Sequence, residues 1–117
     1  MRANSLSWGL NSNTLLIALQ NQYVEVLKYN ATTGHYYGSQ TIETTHTNVS
    51  KVAGALSRFA TCGTDYAVNS YYYNLSTGKY SFNQTLLVGA FGCSALDFST
   101  KENRLAVGKP NGNAYIL

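Results

Sequence analysis

The sequence is poor in charge, proline and cysteine. Charged residues make up 11% of the 117 positions, and the chain has one proline and two cysteines. The net charge of +3 comes from 8 basic and 5 acidic residues without a Lys/Arg run, so nucleic-acid or anionic-membrane binding has little support. No apolar run is long enough to predict a membrane-spanning helix. Apolar residues also lack a convincing helical spacing, which excludes a mainly helical fold.

Tyrosine and glycine, in contrast, are abundant. The chain has ten of each, and 44% of its residues are hydrophobic. Tyrosine is favoured on pleated, half-buried strands, and a chain of this length forms one domain at most. The composition therefore predicts one all-β domain.

The sequence repeats itself with a period of about 44 residues. Segment 29–36 (Tyr-Asn-Ala-Thr-Thr-Gly-His-Tyr) matches segment 73–80 (Tyr-Asn-Leu-Ser-Thr-Gly-Lys-Tyr) at five of eight positions. A third copy places Arg-Leu-Ala-Val-Gly at 104–108, where Arg-Phe-Ala-Thr-Cys-Gly stands at 58–63. A period of about 40 to 45 residues with four strands per unit is typical of β-propeller blades of the WD-repeat kind. We therefore predict an all-β partial β-propeller of about two and two-thirds four-stranded antiparallel blades.

The predicted blades follow this repeat within a single partial propeller domain. Blade one covers 5–42, blade two covers 49–87, and an incomplete blade three covers 94–117. The predicted strands are 5–10, 14–19, 23–29, 35–42, 49–56, 59–63, 67–73, 79–87, 94–98, 104–108 and 113–117. Known propellers close with at least about four blades, so we expect either a truncated chain or copies that associate to close the ring.

The two cysteines, Cys62 and Cys93, lie in apolar, strand-like contexts. The N-terminus has no signal-peptide pattern, so buried free thiols are favoured over a disulfide. Glycosylation sequons occur at Asn30, Asn48, Asn74 and Asn83. Without secretion these sequons carry no functional information.

Two short motifs resemble one branch of the WD-repeat family. Residues 61–65 read Thr-Cys-Gly-Thr-Asp, and residues 101–108 read Lys-Glu-Asn-Arg-Leu-Ala-Val-Gly. They are similar to segments in the second and third blades of the WD-repeat subunit (subunit 1) of the actin-related protein 2/3 complex, which nucleates branched actin filaments. The resemblance extends over almost the whole chain but covers only the first three of that family's seven blades. It implies a non-enzymatic, cytoplasmic scaffold of the actin cytoskeleton, with actin-related proteins and their companion subunits as partners.

The sequence also departs from that family. The Trp-Asp pair that closes a standard WD blade is replaced by Tyr-Asn at 29–30 and 73–74. No basic residue follows Asp65 as the family pattern would place one, and the later blades have no counterpart in these 117 residues. The resemblance therefore implies a divergent or fragmentary member.

His46 and Asp65 have the residue types of a catalytic base and its orienting carboxylate, but a structural role is favoured. In WD-repeat blades, a His before the inner strand and an Asp in the second turn form a hydrogen-bond network with a Ser/Thr and an aromatic residue. The resemblance implies such a network for His46, Thr61 and Asp65, with Tyr71 or Tyr73 completing it. We therefore predict no catalytic residues.

No metal or cofactor site is predicted either, because the His, Cys and carboxylate residues have no ligand spacing. Cys62 with His46 is a poor nucleophile pair, since Cys62 lies in the middle of an apolar strand. Trp8 is predicted to belong to the core.

The tyrosines at 36–37 and 71–73 have the chemistry to stack on sugars or bases. Strand alternation places Tyr71 and Tyr73 on one face and Tyr72 on the other, so we expect most of these rings to pack between blades. A binding surface is expected on loops at one rim, because rigid blades commonly carry recognition on their loops. The candidate partner-binding residues are Asn21, Thr47, Asn48, Tyr66, Lys109 and Asn111.

Two functional classes remain open from the sequence. The favoured one is the WD-repeat scaffold, either of the actin-branching complex or of an unrelated assembly. The alternative is a secreted carbohydrate-binding or hydrolytic propeller-like module. The alternative predicts glycans on the sequons, a Cys62–Cys93 disulfide or a ligand-filled central pocket. The scaffold predicts free thiols and an obligate protein partner.

Overall fold

The computed structural model describes residues 2–9, 13–65, 67–88, 93–99, 101, 104–109 and 114–117. These residues contain strands and no helix, which confirms the all-β prediction. The strands are β1 (Ala3–Gly9), β2 (Thr14–Leu19), β3 (Tyr23–Asn30), β4 (His35–Glu43), β5 (Val49–Gly54), β6 (Arg58–Gly63), β7 (Ala67–Asn74), β8 (Lys79–Val88), β9 (Ala95–Phe98), β10 (Leu105–Gly108) and β11 (Ala114–Ile116).

The strands form three antiparallel sheets. The first sheet has the order β1-β2-β3-β4, the second β5-β6-β7-β8, and the third β11-β10-β9. All the predicted strands occur, and their described ends differ from the predicted ends by at most two residues. Leu10 and Asn113, predicted as strand ends, lie outside the described residues.

The repeated Tyr-Asn-x-x-Thr-Gly motif forms the same turn in both four-stranded sheets. Asn30 and Asn74 each accept, through the side-chain oxygen, a hydrogen bond of 2.9 Å from the backbone N–H two residues later. Gly34 and Gly78 then adopt positive φ angles of 73° and 70° and each donates its N–H to the carbonyl of that Asn. Glycine suits this position because a side chain is strained at such φ values. The sequence repeat is therefore a repeat of turn geometry.

The first and second sheets stack face to face around one apolar core. This core joins the inward-facing aliphatic residues of the first sheet to aromatic and aliphatic residues of the second. Its buried members are Leu16, Ala18, Val24, Val26, Ile42, Val49, Val52, Phe59, Tyr71 and Tyr80. Phe59 and Tyr71 stack with ring centroids 4.6 Å apart. Burial of these side chains supplies the main stabilisation between the two sheets.

Polar contacts fix how these two sheets align. Where β1 lies beside β5, Ser5 Oγ and Ser7 Oγ of β1 accept hydrogen bonds from backbone N–H groups of β5, at 3.2 and 2.8 Å. At the opposite edge, where β4 meets β8, the Gln40 amide donates to the Tyr80 carbonyl at 2.8 Å and accepts from the Tyr80 N–H at 2.9 Å. The sheets are therefore joined along both edges as well as through the core.

The third sheet packs on the opposite face of the second sheet. Their shared core contains Ala60, Cys62, Val68, Cys93, Leu105 and Val107, with Leu86, Leu96 and Phe98 packed against it. Cys62 and Cys93 form a disulfide with Cα atoms 6.1 Å apart, and no free cysteine remains. The prediction of free thiols was therefore wrong. An apolar context suits a buried disulfide as well as a thiol, and only the packing of β9 against β5 and β6 brings the two sulfur atoms together.

The aromatic residues are less buried than predicted. Trp8, predicted to be a core residue, is 53% exposed. Tyr36 and Tyr37 are also exposed. Tyr71 is buried and Tyr72 is exposed, as strand alternation predicts. Trp8 is exposed because its side of the first sheet faces away from the second sheet.

Candidate functional site

A buried hydrogen-bond network crosses the end of the second sheet and brings together His46, Thr61 and Asp65. His46 precedes β5, Thr61 lies within β6, and Asp65 lies in the turn after β6. His46 Nδ1 is 2.7 Å from Asp65 Oδ1, and His46 Nε2 is 2.8 Å from Thr61 Oγ1. With a neutral ring, Nδ1 donates to the carboxylate and Nε2 accepts from the Thr61 hydroxyl. The network thus ties the segment before β5 to the turn between β6 and β7.

The segment that carries His46 passes close to the backbone of β6 at Gly63, where only glycine leaves enough room. A Cβ atom at Gly63 would lie 2.7 Å from His46 Cβ and from the Asn48 carbonyl oxygen. The absence of a side chain at Gly63 therefore lets the imidazole approach the sheet closely enough to reach Thr61.

Tyr71 extends the network, whereas Tyr73 lies elsewhere. The Tyr71 side chain interacts with those of Thr61 and Asn69. Burial raises the pKa of Tyr71 above its usual range. The neighbouring Thr61 and Asn69 side chains oppose this rise in pKa, and the Asp65 charge adds to it. Tyr73 instead accepts a hydrogen bond from Lys28 Nζ at 3.1 Å.

Asn69 is a member of the network that sequence reasoning missed. It is fully buried opposite Thr61, donates to Thr45 Oγ1 at 2.8 Å and accepts from Thr85 Oγ1 at 2.9 Å. The available signal was an asparagine in the middle of the predicted strand 67–73. Asparagine is depleted in strands, and a buried amide needs hydrogen-bond partners.

The network is suited to fixing the ends of strands. Thr61 is fully buried and His46 is 1% exposed. The hydroxyl–imidazole pair is therefore shielded from solvent. These hydrogen bonds satisfy buried polar groups that would otherwise destabilise the fold.

The predicted rim residues are only partly brought together. The Asn21 carbonyl accepts from the Val49 N–H at 2.8 Å, which places Asn21 beside Asn48, and Thr47 is exposed next to them. Asn48 is half-buried and its side-chain oxygen accepts from Asn4 at 3.1 Å. These contacts place three of the six predicted residues in one patch at the 20–22 and 44–48 end of the first two sheets.

Lys109, another of the predicted partner-binding residues, is largely buried. It is 9% exposed, and its ammonium group donates to the Tyr115 hydroxyl at 2.9 Å. Packing against β11 buries it, which a loop position in the sequence did not indicate. Tyr66 and Asn111 lie outside the described residues.

Within the described ranges, no group of three or more His, Cys, Asp and Glu residues could hold a metal ion. None of the described segments forms a helix long and apolar enough to cross a bilayer. No protein-family model matches the sequence. No curated protein matches it at a significant level.

Proposed function

We propose that this chain is a non-enzymatic protein-interaction scaffold built as part of a WD-repeat-like β-propeller. The observation that carries the proposal is the stacking of two repeat-related four-stranded sheets with their first strands, β1 and β5, adjacent. In a propeller, successive blades pack side by side with their first strands toward the centre. The buried polar network of His46, Thr61 and Asp65 supports the same interpretation, because it joins the segment between two sheets to a turn of the second.

The proposed binding surface is the rim patch of Asn21, Thr47 and Asn48. These residues lie at the end of the first two sheets where the polar network fixes the backbone. Loops held on a rigid scaffold are common recognition surfaces. The partner class follows from the motifs at 61–65 and 101–108: actin-related proteins and the other subunits of an actin-branching complex.

Affinity capture of the tagged chain from its own cytoplasm, followed by mass spectrometry, tests this proposal. We expect actin-related proteins and their companion subunits among the captured proteins. Thr47→Glu should abolish their capture, whereas Thr32→Glu, at an exposed turn at the opposite end of the first sheet, should leave it unchanged. Recovery of the bait alone would rule out the actin-branching role.

A second candidate function is favoured by the Cys62–Cys93 disulfide. Disulfides persist in oxidising compartments and are rare in the cytosol. The disulfide supports a secreted carbohydrate-binding or hydrolytic module in which exposed rings such as Tyr37 and Tyr72 stack on sugars.

Thiol alkylation of the protein from its native source, before and after reduction, separates these two candidates. Alkylation of both cysteines without reduction favours the cytoplasmic scaffold. Alkylation only after reduction, together with glycan on the exposed sequon asparagine Asn83, favours the secreted module.

A further inference from the structure

The first sheet presents an exposed apolar surface on the side that faces away from the second sheet. We call this surface the Trp8 face. Its members are Leu6, Trp8, Leu15, Ile17, Leu27, Tyr29 and Tyr36. Leu6 is 60% exposed and Trp8 53%, while Tyr29 and Tyr36 are 43% and 42% exposed. A contiguous patch of exposed apolar side chains marks an interaction surface.

The sequence repeat indicates what such a surface packs against. With an offset of 44 residues, Leu15, Leu27 and Tyr36 correspond to Phe59, Tyr71 and Tyr80 of the second sheet. The exposures of those three are 0%, 2% and 3%, because the first sheet covers them. In the third sheet, Leu105 and Val107 hold the positions of Phe59 and Thr61, and the second sheet buries them. In both interfaces between sheets, the face equivalent to the Trp8 face is covered by the opposite face of the preceding sheet.

The third sheet presents a face of that opposite kind. We call it the Ile116 face, and its members are Ala95, Asp97, Ala106, Ala114 and Ile116. Strand registers align Ala106 and Ile116 with Leu16 and Val26, which are the residues that the first sheet packs onto the second. Ile116 is 63% exposed.

The hydrogen bond between β1 and β5 has a matching counterpart in the third sheet. The same registers align Asp97 with Ser7, whose hydroxyl accepts from the Gly54 N–H. Gly54 in turn aligns with Trp8. An Ile116 face docked on a Trp8 face would therefore place the Asp97 carboxylate near the backbone N–H of Trp8. There it can accept a hydrogen bond, as the Ser7 hydroxyl does from Gly54.

We propose that the Trp8 face binds the Ile116 face of a second copy of this chain, so that copies associate head to tail. Within one chain, the first sheet packs on the second and the second packs on the third. The proposed contact repeats this packing between the third sheet of one copy and the first sheet of the next. It is heterologous, so the copies form a ring or an open chain rather than a two-fold dimer. This inference rests on the repeat arrangement of the proposed scaffold and not on its actin-related partners, so a failed capture experiment leaves it standing.

Sedimentation velocity of the purified full chain with its disulfide intact tests the proposal. We expect wild-type protein to sediment as species larger than a dimer at micromolar concentration. Trp8→Glu and Ile116→Glu should each weaken association at least about thirtyfold, because each places a charge in the centre of an apolar contact. Leu75→Glu, at an 87% exposed leucine in the turn between β7 and β8, is the matched control and should associate like wild type.

Mixing the two weakened variants makes the test specific. Trp8→Glu retains an intact Ile116 face, and Ile116→Glu retains an intact Trp8 face. An equimolar mixture should therefore form a 1:1 dimer and nothing larger, although each variant alone is monomeric. A monomeric wild type, a monomeric mixture, or association that persists in Trp8→Glu would overturn the proposal. If circular dichroism shows that Trp8→Glu is unfolded, Leu6→Glu on the same face replaces it with the same expected outcomes.

Discussion

Two fully buried threonines illustrate how differently the same side chain can contribute to this fold. Thr61 in β6 hydrogen-bonds His46 at 2.8 Å, whereas the Thr14 hydroxyl in β2 has no hydrogen-bond partner in the part of the chain that the structure describes. Removing one partner of a buried hydrogen bond leaves the other partner unsatisfied, and this is usually more costly than losing the bond itself. The two positions therefore separate the network's contribution from that of burial.

We predict that Thr61→Val lowers the free energy of unfolding by about 1–3 kcal/mol, because it leaves the buried His46 Nε2 without its hydroxyl partner. Thr14→Val, its matched control, should change stability by less than about 0.5 kcal/mol or increase it, since it removes an unsatisfied hydroxyl. Urea denaturation followed by far-UV circular dichroism measures both changes. Equal losses in the two variants would show that the network contributes nothing beyond packing.

Tyr71 gives the network an alkaline pH dependence. Because burial raises its pKa in the folded protein, the unfolded chain loses the phenolic proton first as pH rises. The contribution of Tyr71 to the free energy of unfolding is fully present below pH 10, the usual pKa of tyrosine. It is lost progressively as pH rises from about 10 towards the pKa of Tyr71 in the folded protein. We predict a loss of stability over this range that Tyr71→Phe reduces, measured by urea denaturation between pH 9 and 11.

The matched control for this titration is Tyr72→Phe on the exposed face of the same strand. It should leave the alkaline loss of stability as in wild type. An unchanged alkaline loss in Tyr71→Phe would show that other groups cause it.

At the scale of elements, the approach of β1 to β5 controls how the first two sheets stack. A Cβ atom at Gly54 of β5 would meet the Trp8 carbonyl oxygen of β1 at overlapping distance and Leu16 Cδ1 at 2.9 Å. Backbone atoms cannot move aside as a flexible side chain can. Glycine is therefore needed here for interstrand distance rather than for its backbone conformation.

We predict that Gly54→Ala lowers the free energy of unfolding by about 1–3 kcal/mol, because β5 must move away from β1 and loosen the core between the sheets. Gly38→Ala in β4 is the matched control, since its Cβ would contact only the flexible Glu25 side chain, at 3.3 Å. The control should be neutral or slightly stabilising, as alanine restricts the unfolded chain. Thermal unfolding of both variants checks the difference; equal melting temperatures would contradict the proposed close approach.

At the scale of the whole molecule, a disulfide crosslinks the third sheet to the second. The disulfide joins Cys62 in β6 to Cys93 before β9, across 31 positions of sequence. The third sheet has short strands of three and four residues and shares a smaller core with the second sheet. The disulfide limits the separation of these sheets in the unfolded chain, where loop closure is otherwise costly.

We predict that the double variant Cys62→Ala/Cys93→Ala loses about 3–4 kcal/mol of unfolding free energy, the chain-entropy expectation for a loop of this length. Reductant should destabilise wild-type protein by a similar amount and leave the double variant unchanged. Urea denaturation with and without dithiothreitol provides the measurement. If wild-type protein unfolds identically in both conditions, the disulfide does not form in solution.

The sequence by itself determined the strands and their turns. Alternation along β3 and the repeated motifs at 29–36 and 73–80 are local signals, and they specify local backbone geometry directly. These features depend on neighbours in sequence, so the sequence pattern contains them. The network of His46, Thr61 and Asp65 was instead implied by the resemblance to WD-repeat blades.

Only the tertiary structure decided which sheet faces are covered and which side chains meet across sheets. Leu15 and Phe59 occupy the same position in the repeat, yet only Phe59 lies beneath another sheet and is fully buried. The Cys62–Cys93 disulfide likewise depends on how the third sheet packs against the second. Burial and long-range pairing are set by surfaces far apart in sequence, and a strand's own pattern is the same whether or not a neighbouring sheet covers it.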